Sequence, residues 1–266
     1  MKIGCNFSEE LLDLLEENKV DVDYIKIPID DLCIGHTDRV KSIRPIMVHY
    51  MGYRERTSMK DMETVDFEWI NSKLNQLSSP MSAIHCFAAR EDFENEEPSF
   101  DEVINRMLNV LGIWKEKLSV PVAIENYPYS DFYTMSHPIT SDPRLFHILT
   151  EKLDINITLD IGHAKTSASY LGKSLKDYIL EFPLDRVVEL HVNGTLNDPE
   201  HGIRDKHLEM EEEDYEVVEW ILRKCSIKYL TLEYGGIGRP KEQGRSNVDS
   251  IERQLRRLSR IVERVR

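Results

Sequence analysis

A closed parallel (β/α)8 barrel, the TIM barrel of the α/β class, is the fold this sequence predicts. Eight short runs rich in Val, Ile, Tyr and Thr alternate with amphipathic stretches along 266 residues. That alternation is the signature of parallel sheet, and eight units in about 250 residues suit a closed barrel. Six of the runs end in a residue able to bind a metal, and a barrel gathers its strand ends on one face. An open doubly wound sheet would want a Gly-rich phosphate loop after its first strand. Asn6-Phe7-Ser8-Glu9-Glu10 stands there instead, and the chain contains no G-x-G-x-x-G.

The expected strands are Lys2–Phe7, Tyr24–Ile29, Ile46–Tyr50, Ser82–Phe87, Pro121–Tyr127, Ile155–Gly162, Val187–Asn193 and Tyr229–Gly235. The first helix, Ser8–Glu17, opens Ser-Glu-Glu and repeats leucines at helical spacing. Asp30–Ser42 has the weakest helical pattern, and Asp66–Leu77 is amphipathic. Ser99–Leu118 begins with a Ser99-x-x-Glu102 capping box. Ser141–Lys152 starts Ser-Asp-Pro, with proline in the first turn where its missing N–H costs nothing. Ser174–Glu181, Glu211–Lys224 and Asn247–Arg266 complete the set. No linker or low-complexity tract interrupts the pattern, so residues 1–266 read as one domain.

Composition narrows the function classes. A mean hydropathy of −0.44 and the lack of any apolar run near 18–20 residues argue against a membrane protein. The start, Met1-Lys2-Ile3-Gly4-Cys5-Asn6, enters a strand pattern directly and lacks the layout of a secretory signal. Cys5, Cys33, Cys86 and Cys225 are scattered without a C-x-x-C pair, as reduced thiols of a cytoplasmic protein would be. The net charge of −14 disfavours nucleic acid as a partner and leaves any phosphorylated or sugar-containing substrate to be held locally. Glu91–Glu102, with seven carboxylates, reads as a solvated loop and helix start, and Glu209–Glu216, with six, as a helix N-terminus. Six arginines flank the apolar stripe Ile251, Leu255, Leu258, Val262 of the last helix, an outer barrel helix with a snorkelling surface.

The strand-end residues carry the chemistry. They are His49, His85, Glu125, Asp160 with His163, His191 with Asp205 and His207, and Glu233. Period two along each run puts His85 with Ala83 and Phe87, Glu125 with Ala123, and Asp160 with Thr158. It also puts His191 with Glu189 and Asn193, and Glu233 with Thr231. The alternate neighbours are mostly apolar, as packing under helices requires, so the polar set faces the barrel interior. A lone histidine at a strand end is usually just a hydrogen-bonded polar group. Nine imidazoles and carboxylates converging on one mouth, however, need cations between them, because bare buried charge is costly. Asp205-Lys206-His207 is expected as a loop with two ligands, and Gly162 as a turn that carries the chain from Asp160 to His163. His36, His137, His147 and His201 fall outside the pattern.

These residues resemble the xylose isomerase-like barrels, and most of all the endonuclease IV (AP endonuclease family 2) type, over nearly the whole chain. That pattern has His on the third and fourth strands, Glu on the fifth, D-x-x-H after the sixth, His on the seventh with D-x-H behind it, and Glu on the eighth. Gly202-Ile203-Arg204-Asp205-Lys206-His207 is similar to that family's G-x-R-x-D-R-H stretch. The resemblance implies two or three divalent ions. His49, His85 and Glu125 would hold one, Glu125 would bridge to a second completed by Asp160, His191 and Glu233, and His163, Asp205 and His207 would hold a third. Zinc is the first expectation, with manganese and iron also suited to a set without cysteine. The implied reaction is hydrolysis of a phosphate ester, with Glu125 and Glu233 catalytic, Glu125 orienting the attacking water, and Arg204, Lys206 or Lys165 meeting a phosphate oxygen. The family's H-x-S-Y-L and H-x-N-D-S segments read here as His49-Tyr50-Met51-Gly52-Tyr53-Arg54 and His191-Val192-Asn193-Gly194-Thr195, which disfavours DNA as the substrate.

Two relatives of the same fold supply alternatives. Sugar isomerases and epimerases use one metal held by a Glu, Asp, His, Glu set, matched by Glu125, Asp160, His191 and Glu233. Multinuclear iron oxidases that modify peptides share the strand-end histidines, the D-x-H and the last Glu. Their sixth-strand motif usually ends in asparagines, where this chain has Gly162-His163. A metal-binding scaffold without activity is the non-enzymatic reading.

Overall fold

A computed structural model describes residues 1–28, 35–49, 55–95, 97–133, 135–236, 241 and 243–265. In chain order the main elements are β1 (Lys2–Asn6), α1 (Glu9–Glu16), β2 (Tyr24–Ile27), α2 (Thr37–Ile43), β3 (Ile46–Val48), α3 (Phe67–Leu77) and β4 (Ser82–Cys86). They continue with α4 (Phe100–Lys117), β5 (Val122–Asn126), α5 (Pro143–Leu153), β6 (Asn156–Asp160), α6 (Ile161–Tyr170), α7 (Leu175–Leu180) and β7 (Val187–Val192). The chain ends with β8 (Gly194–Asp198), β9 (Gly202–Leu208), α8 (Glu212–Leu222), β10 (Tyr229–Leu232) and α9 (Val248–Val265). Strands β1 to β7 run in sequence order around a closed barrel that β10 completes against β1, and every pair in it is parallel. The eight expected strands are these eight.

Local chemistry sets the element ends. Ser8 caps α1 by accepting from Leu11 N–H, and Ser99 with Glu102 forms the expected capping box on α4. Asp142 caps α5 with Pro143 in its first turn. α9 buries Ile251, Leu255, Leu258 and Val262 and leaves its arginines outward, several of them paired with Glu209, Glu212, Glu219 and Glu252. Glu211 starts α8 as its N-cap, in the second acidic cluster, as its place in the sequence implied. Cys5 and Cys86 are buried free thiols and Cys225 is partly buried. Cys33 and the segment 50–54 lie outside the described residues, as does the first half of the Asp30–Ser42 helix. Among the described residues no helix is long and apolar enough to cross a membrane.

Two expectations are corrected. Asp205, Lys206 and His207 do not sit in a loop: they lie on β9, which pairs antiparallel with β8 in a hairpin placed between β7 and α8. Gly202, at φ +71°, takes the left-handed position that closes such a hairpin. Gly162 does not turn the chain, because it lies within α6, a helix that the Ile155–Gly162 strand reading concealed. It is small because a Cβ there would stand 2.3 Å from Asn193 Oδ1.

Register places the polar residues in layers. Asp160 is level with His191 and His191 with Thr231, while Glu125 is level with His85 and Thr158. One step down, Thr158, Glu189 and Tyr229 are level. The floor is tight. A Cβ on Gly4 would stand 2.2 Å from the ring of Tyr24, whose hydroxyl is 2.7 Å from Thr231 Oγ1. Gly4→Ala is therefore expected to destabilise the fold by about 1–3 kcal/mol, as overpacking a filled core does. Chemical denaturation checks it, and an unchanged midpoint would contradict this packing.

Candidate metal centre

The barrel mouth collects all nine expected residues, each by a traceable local cause. His85, Glu125, Asp160 and His191 sit at or next to the C-terminal ends of β4, β5, β6 and β7, while His49 and Glu233 follow β3 and β10 by one residue. Asp160 doubles as the N-cap of α6, its Oδ1 accepting from His163 N–H at 2.7 Å, which fixes His163 one turn above it. Asp205 and His207 arrive from β9, on the hairpin that packs against α6. His207 adopts φ +47°, a left-handed conformation that costs a non-glycine residue about 1 kcal/mol or more and aims its ring back towards Asp205 and Glu233.

Three groups of donor atoms lie close enough to hold an ion each: His49, Glu125, His191 and Glu233; His85, Glu125 and His163; and His163, Asp205 and His207. Donors about 2.0–2.2 Å from one ion are about 2.8–3.6 Å apart in tetrahedral or octahedral arrangement. Here His191 Nδ1 is 3.2 Å from Glu125 Oε1 and 3.3 Å from Glu233 Oε1. His49 Nε2 is 3.5 Å from Glu233 Oε1, and His85 Nε2 is 3.4 Å from Glu125 Oε1. His207 Nε2 and His163 Nε2 are 3.0 and 3.6 Å from Asp205 Oδ2. Glu125 Oε2 and Glu233 Oε1 are buried and have no hydrogen-bond partner. Such bare carboxylate oxygens are rare in folded proteins, and cations between them resolve the cost. The donor set fits divalent metals.

The grouping departs in detail from the sequence expectation. His49 leans to Glu233 and His191 more than to His85. His163 stays with Asp205 and His207 as expected, its Nδ1 2.7 Å from the main-chain oxygen of Asn126 and its Nε2 facing Asp205, but it also comes within reach of His85 and Glu125. Asp160 Oδ2 stands 3.8 Å from His191 Nδ1, at the edge of the first group.

Electrostatics follow from this crowding. Burial drives His49 down to about 3. Burial, reinforced by Glu233, Asp205 and Glu125 against the opposing His163, raises Asp160 to about 7. For His163 and His207 burial opposes the proton, yet the surrounding carboxylates, Asp160 and Asp205 foremost, carry them up to about 10 and about 9. For Glu233 burial is again outweighed, here by His191, His49 and His207, and it is held at about 2.

The expected substrate cations are already engaged. Arg204 pairs with Asp198 at 2.7 Å and stacks 3.5 Å from the centre of the Phe132 ring, Lys206 lies 5.6 Å from that ring, and Lys165 pairs with Asp214 at 2.7 Å. Sequence reasoning missed Asn126, Asn193 and Tyr133. Asn126 bridges β5 to β6 through both its amide atoms and Asp160, and the Tyr133 hydroxyl donates to the carbonyl of Asp205 at 2.8 Å. With its amide nitrogen turned towards the hairpin, Asn193 donates to Asp205 Oδ1 at 3.1 Å. It also missed Lys26, whose signal was a charge on the inward face of Tyr24-Ile25-Lys26-Ile27. The other histidines stay apart, His36 on the Phe7 ring, His147 on the carbonyl of Glu181 and His201 near Phe132.

Comparison with known proteins adds family and fold. The family model for the RiPP precursor modification enzyme MbnB/TglH/ChrH matches residues 2–253. A UPF0276 protein of Acaryochloris marina is 22% identical over 186 residues, 66% of this chain and 64% of that protein. Among solved structures, a D-tagatose 3-epimerase-like protein superposes with a TM-score of 0.65 at 18% identity over 100% of both chains. A putative xylose isomerase from Rhodospirillum rubrum gives 0.65 at 11% identity, over 97% of this chain and 98% of its own. At these identities the two structures establish the barrel fold.

His207→Ala is expected to remove one metal ion per chain and spare the others, as elemental analysis of the folded variant would read. Unchanged metal content would refute the third group. Because His163 and His207 are protonated below about 10 and 9 in the metal-free protein, their nitrogens must lose protons to bind. Affinity is therefore expected to rise with pH up to that range, and calorimetry at pH 7 in buffers of differing ionisation enthalpy should register proton release. No release would contradict these protonation states.

Proposed function

Because the chain belongs to the MbnB/TglH/ChrH family of RiPP precursor modification enzymes, we propose that it is a metal-dependent enzyme that modifies a precursor peptide. The observation that carries this reading is that the matched span contains all nine mouth residues. His49, His85, Glu125, Asp160, His163, His191, Asp205, His207 and Glu233 would hold two or three ions, with iron the metal. Iron so bound would supply one-electron and dioxygen chemistry.

The chain's own residues do the rest. Glu125, between His85 and His191, is placed to join neighbouring ions, and its free oxygen and that of Glu233 face the same space. Exposed apolar side chains stand on and against the hairpin: Leu196 on β8, and Phe132, whose ring meets His201 and Arg204. Such a surface suits the side chains of a peptide. The net charge of −14 opposes a polyanion.

The second reading keeps the endonuclease IV likeness, with a phosphate ester hydrolysed at a zinc or manganese centre. It is favoured by one observation, the Asp160-Ile161-Gly162-His163 arrangement, which puts an imidazole where the peptide-modifying relatives usually have asparagine. A sugar epimerase would need only Glu125, Asp160, His191 and Glu233.

Metal analysis with activity assays separates these. Two or three irons per chain with visible absorption, and an iron-dependent mass change in a short peptide encoded beside its gene and co-expressed with it, are expected. Two or three zinc ions with nicking of a duplex containing an abasic site would favour the hydrolase and overturn the proposal. One ion per chain would favour the epimerase.

A further inference from the structure

Directly beneath the ligand layer lies a second polar layer that none of the metal groups uses. Lys26 and Glu189 are both fully buried inside the barrel, on β2 and β7, with Lys26 Nζ 2.6 Å from Glu189 Oε1. The same ammonium contacts His191 Nε2. Thr231 Oγ1 donates to Glu189 Oε1 at 2.6 Å and Thr158 Oγ1 to Glu189 Oε2 at 3.2 Å, while the Tyr24 hydroxyl is bonded to Thr231 Oγ1. His191 Nε2 is itself 3.2 Å from Glu189 Oε1. Both oxygens of Glu189 are thus occupied, and one of them lies against the imidazole edge that faces away from the mouth.

Stability does not account for this pair. A buried Lys–Glu pair is often neutral or unfavourable relative to well-packed apolar residues of similar volume. Its location is more informative. The ring of His191 has two edges: Nε2 sits on Lys26 and Glu189, and Nδ1 faces Glu125 and Glu233 at 3.2 and 3.3 Å. A histidine that gives one nitrogen to a metal is oriented by whatever holds the other.

We propose that the Lys26–Glu189 pair is a positioning device for His191, holding its Nε2 edge from below so that Nδ1 is the nitrogen presented to a metal shared with Glu125 and Glu233. This rests on the metal-binding reading of the mouth. Nε2 meets the Lys26 ammonium, which can only donate, and Glu189 Oε1 holds that ammonium while standing 3.2 Å from the same nitrogen. Lys26 supplies the positive charge that lets a further carboxylate stand under a mouth already holding Glu125, Asp160, Asp205 and Glu233. Thr158, Thr231 and Tyr24 fix Glu189 in turn, so the register of β2, β6, β7 and β10 is transmitted to one imidazole.

The test is the double variant Lys26→Met/Glu189→Gln, which removes both charges together, beside His191→Ala as the reference for loss of that ion. Affinities are read by chelator competition, coordination by the visible spectrum of the Co(II)-loaded protein, and folding by thermal unfolding of the metal-free protein. The double variant should unfold within a few degrees of the parent yet bind one ion about 10–100-fold more weakly. Its Co(II) absorption should change, and the ion assigned to His163, Asp205 and His207 should be retained. Unchanged affinity and spectrum in a folded double variant would overturn the proposal. If that variant does not fold, Glu189→Gln alone is measured. A weaker loss for the same ion is expected, and none would overturn the proposal equally. A parent protein that binds no metal would sink the metal reading and this inference together, whereas a parent that binds metal beside unaffected variants sinks only the positioning role.

Discussion

Negative charge confined to one end of a barrel is the constraint from which the rest follows. Glu125, Asp160, Glu189 and Glu233 are buried around His191, each with an oxygen 3.2–3.8 Å from one of its ring nitrogens, with Asp205 on the adjoining hairpin. Carboxylates packed this way stay ionised only if cations stand among them. Among the described residues a permanent cation, Lys26, stands directly beneath the ligands against Glu189. Above it the compensating groups are His49, His85, His163, His191 and His207, which can answer negative charge either by taking protons or by sharing metals. The high proton affinities of His163 and His207 and the bare oxygens of Glu125 and Glu233 are two expressions of the same imbalance. Proton release on metal uptake follows from it.

The barrel and most of the site were legible in the sequence because both depend on short-range periodicity. Period two in Ser82–Cys86 or Val187–Val192 separates inward from outward residues without any knowledge of contacts. A strand followed by a capped helix repeats often enough to imply closure. What escaped depends on long-range geometry. Helix α6 begins at Asp160 itself, so one residue ends a strand, caps a helix and faces the mouth, and a strand pattern read through Gly162 hides the junction. The β8–β9 hairpin has a weak strand signal, since Arg204, Asp205, Lys206 and His207 are all polar and show no apolar face at period two. Lys26 was visible as an oddity in an apolar run, but only closure of the barrel shows that its partner is Glu189, 163 positions away. The group of His163, Asp205 and His207 was legible, but the place of His49 with His191 and Glu233 and not with His85 escaped, because it depends on which strand ends meet across the mouth.

The likeness to sugar epimerases and to a xylose isomerase concerns the scaffold and says little about reaction, since one barrel hosts many chemistries. What distinguishes this chain is what it adds to the four strand-end residues those relatives would need. His49 and His85 cost nothing topologically, because they occupy inward positions next to β3 and on β4. A third metal group is harder to build, since the inward strand ends are already used. Here it is met by inserting a hairpin between β7 and α8 whose second strand carries Asp205 and His207 back over the mouth to His163. Tyr133 and Asn193 tie that strand down at Asp205, and Gly162 clears room for Asn193. The strained φ of His207 shows where the hairpin is bent to serve the site. The hairpin after β7 thus brings the third donor group to the mouth, and the pair beneath His191 holds an imidazole of the first.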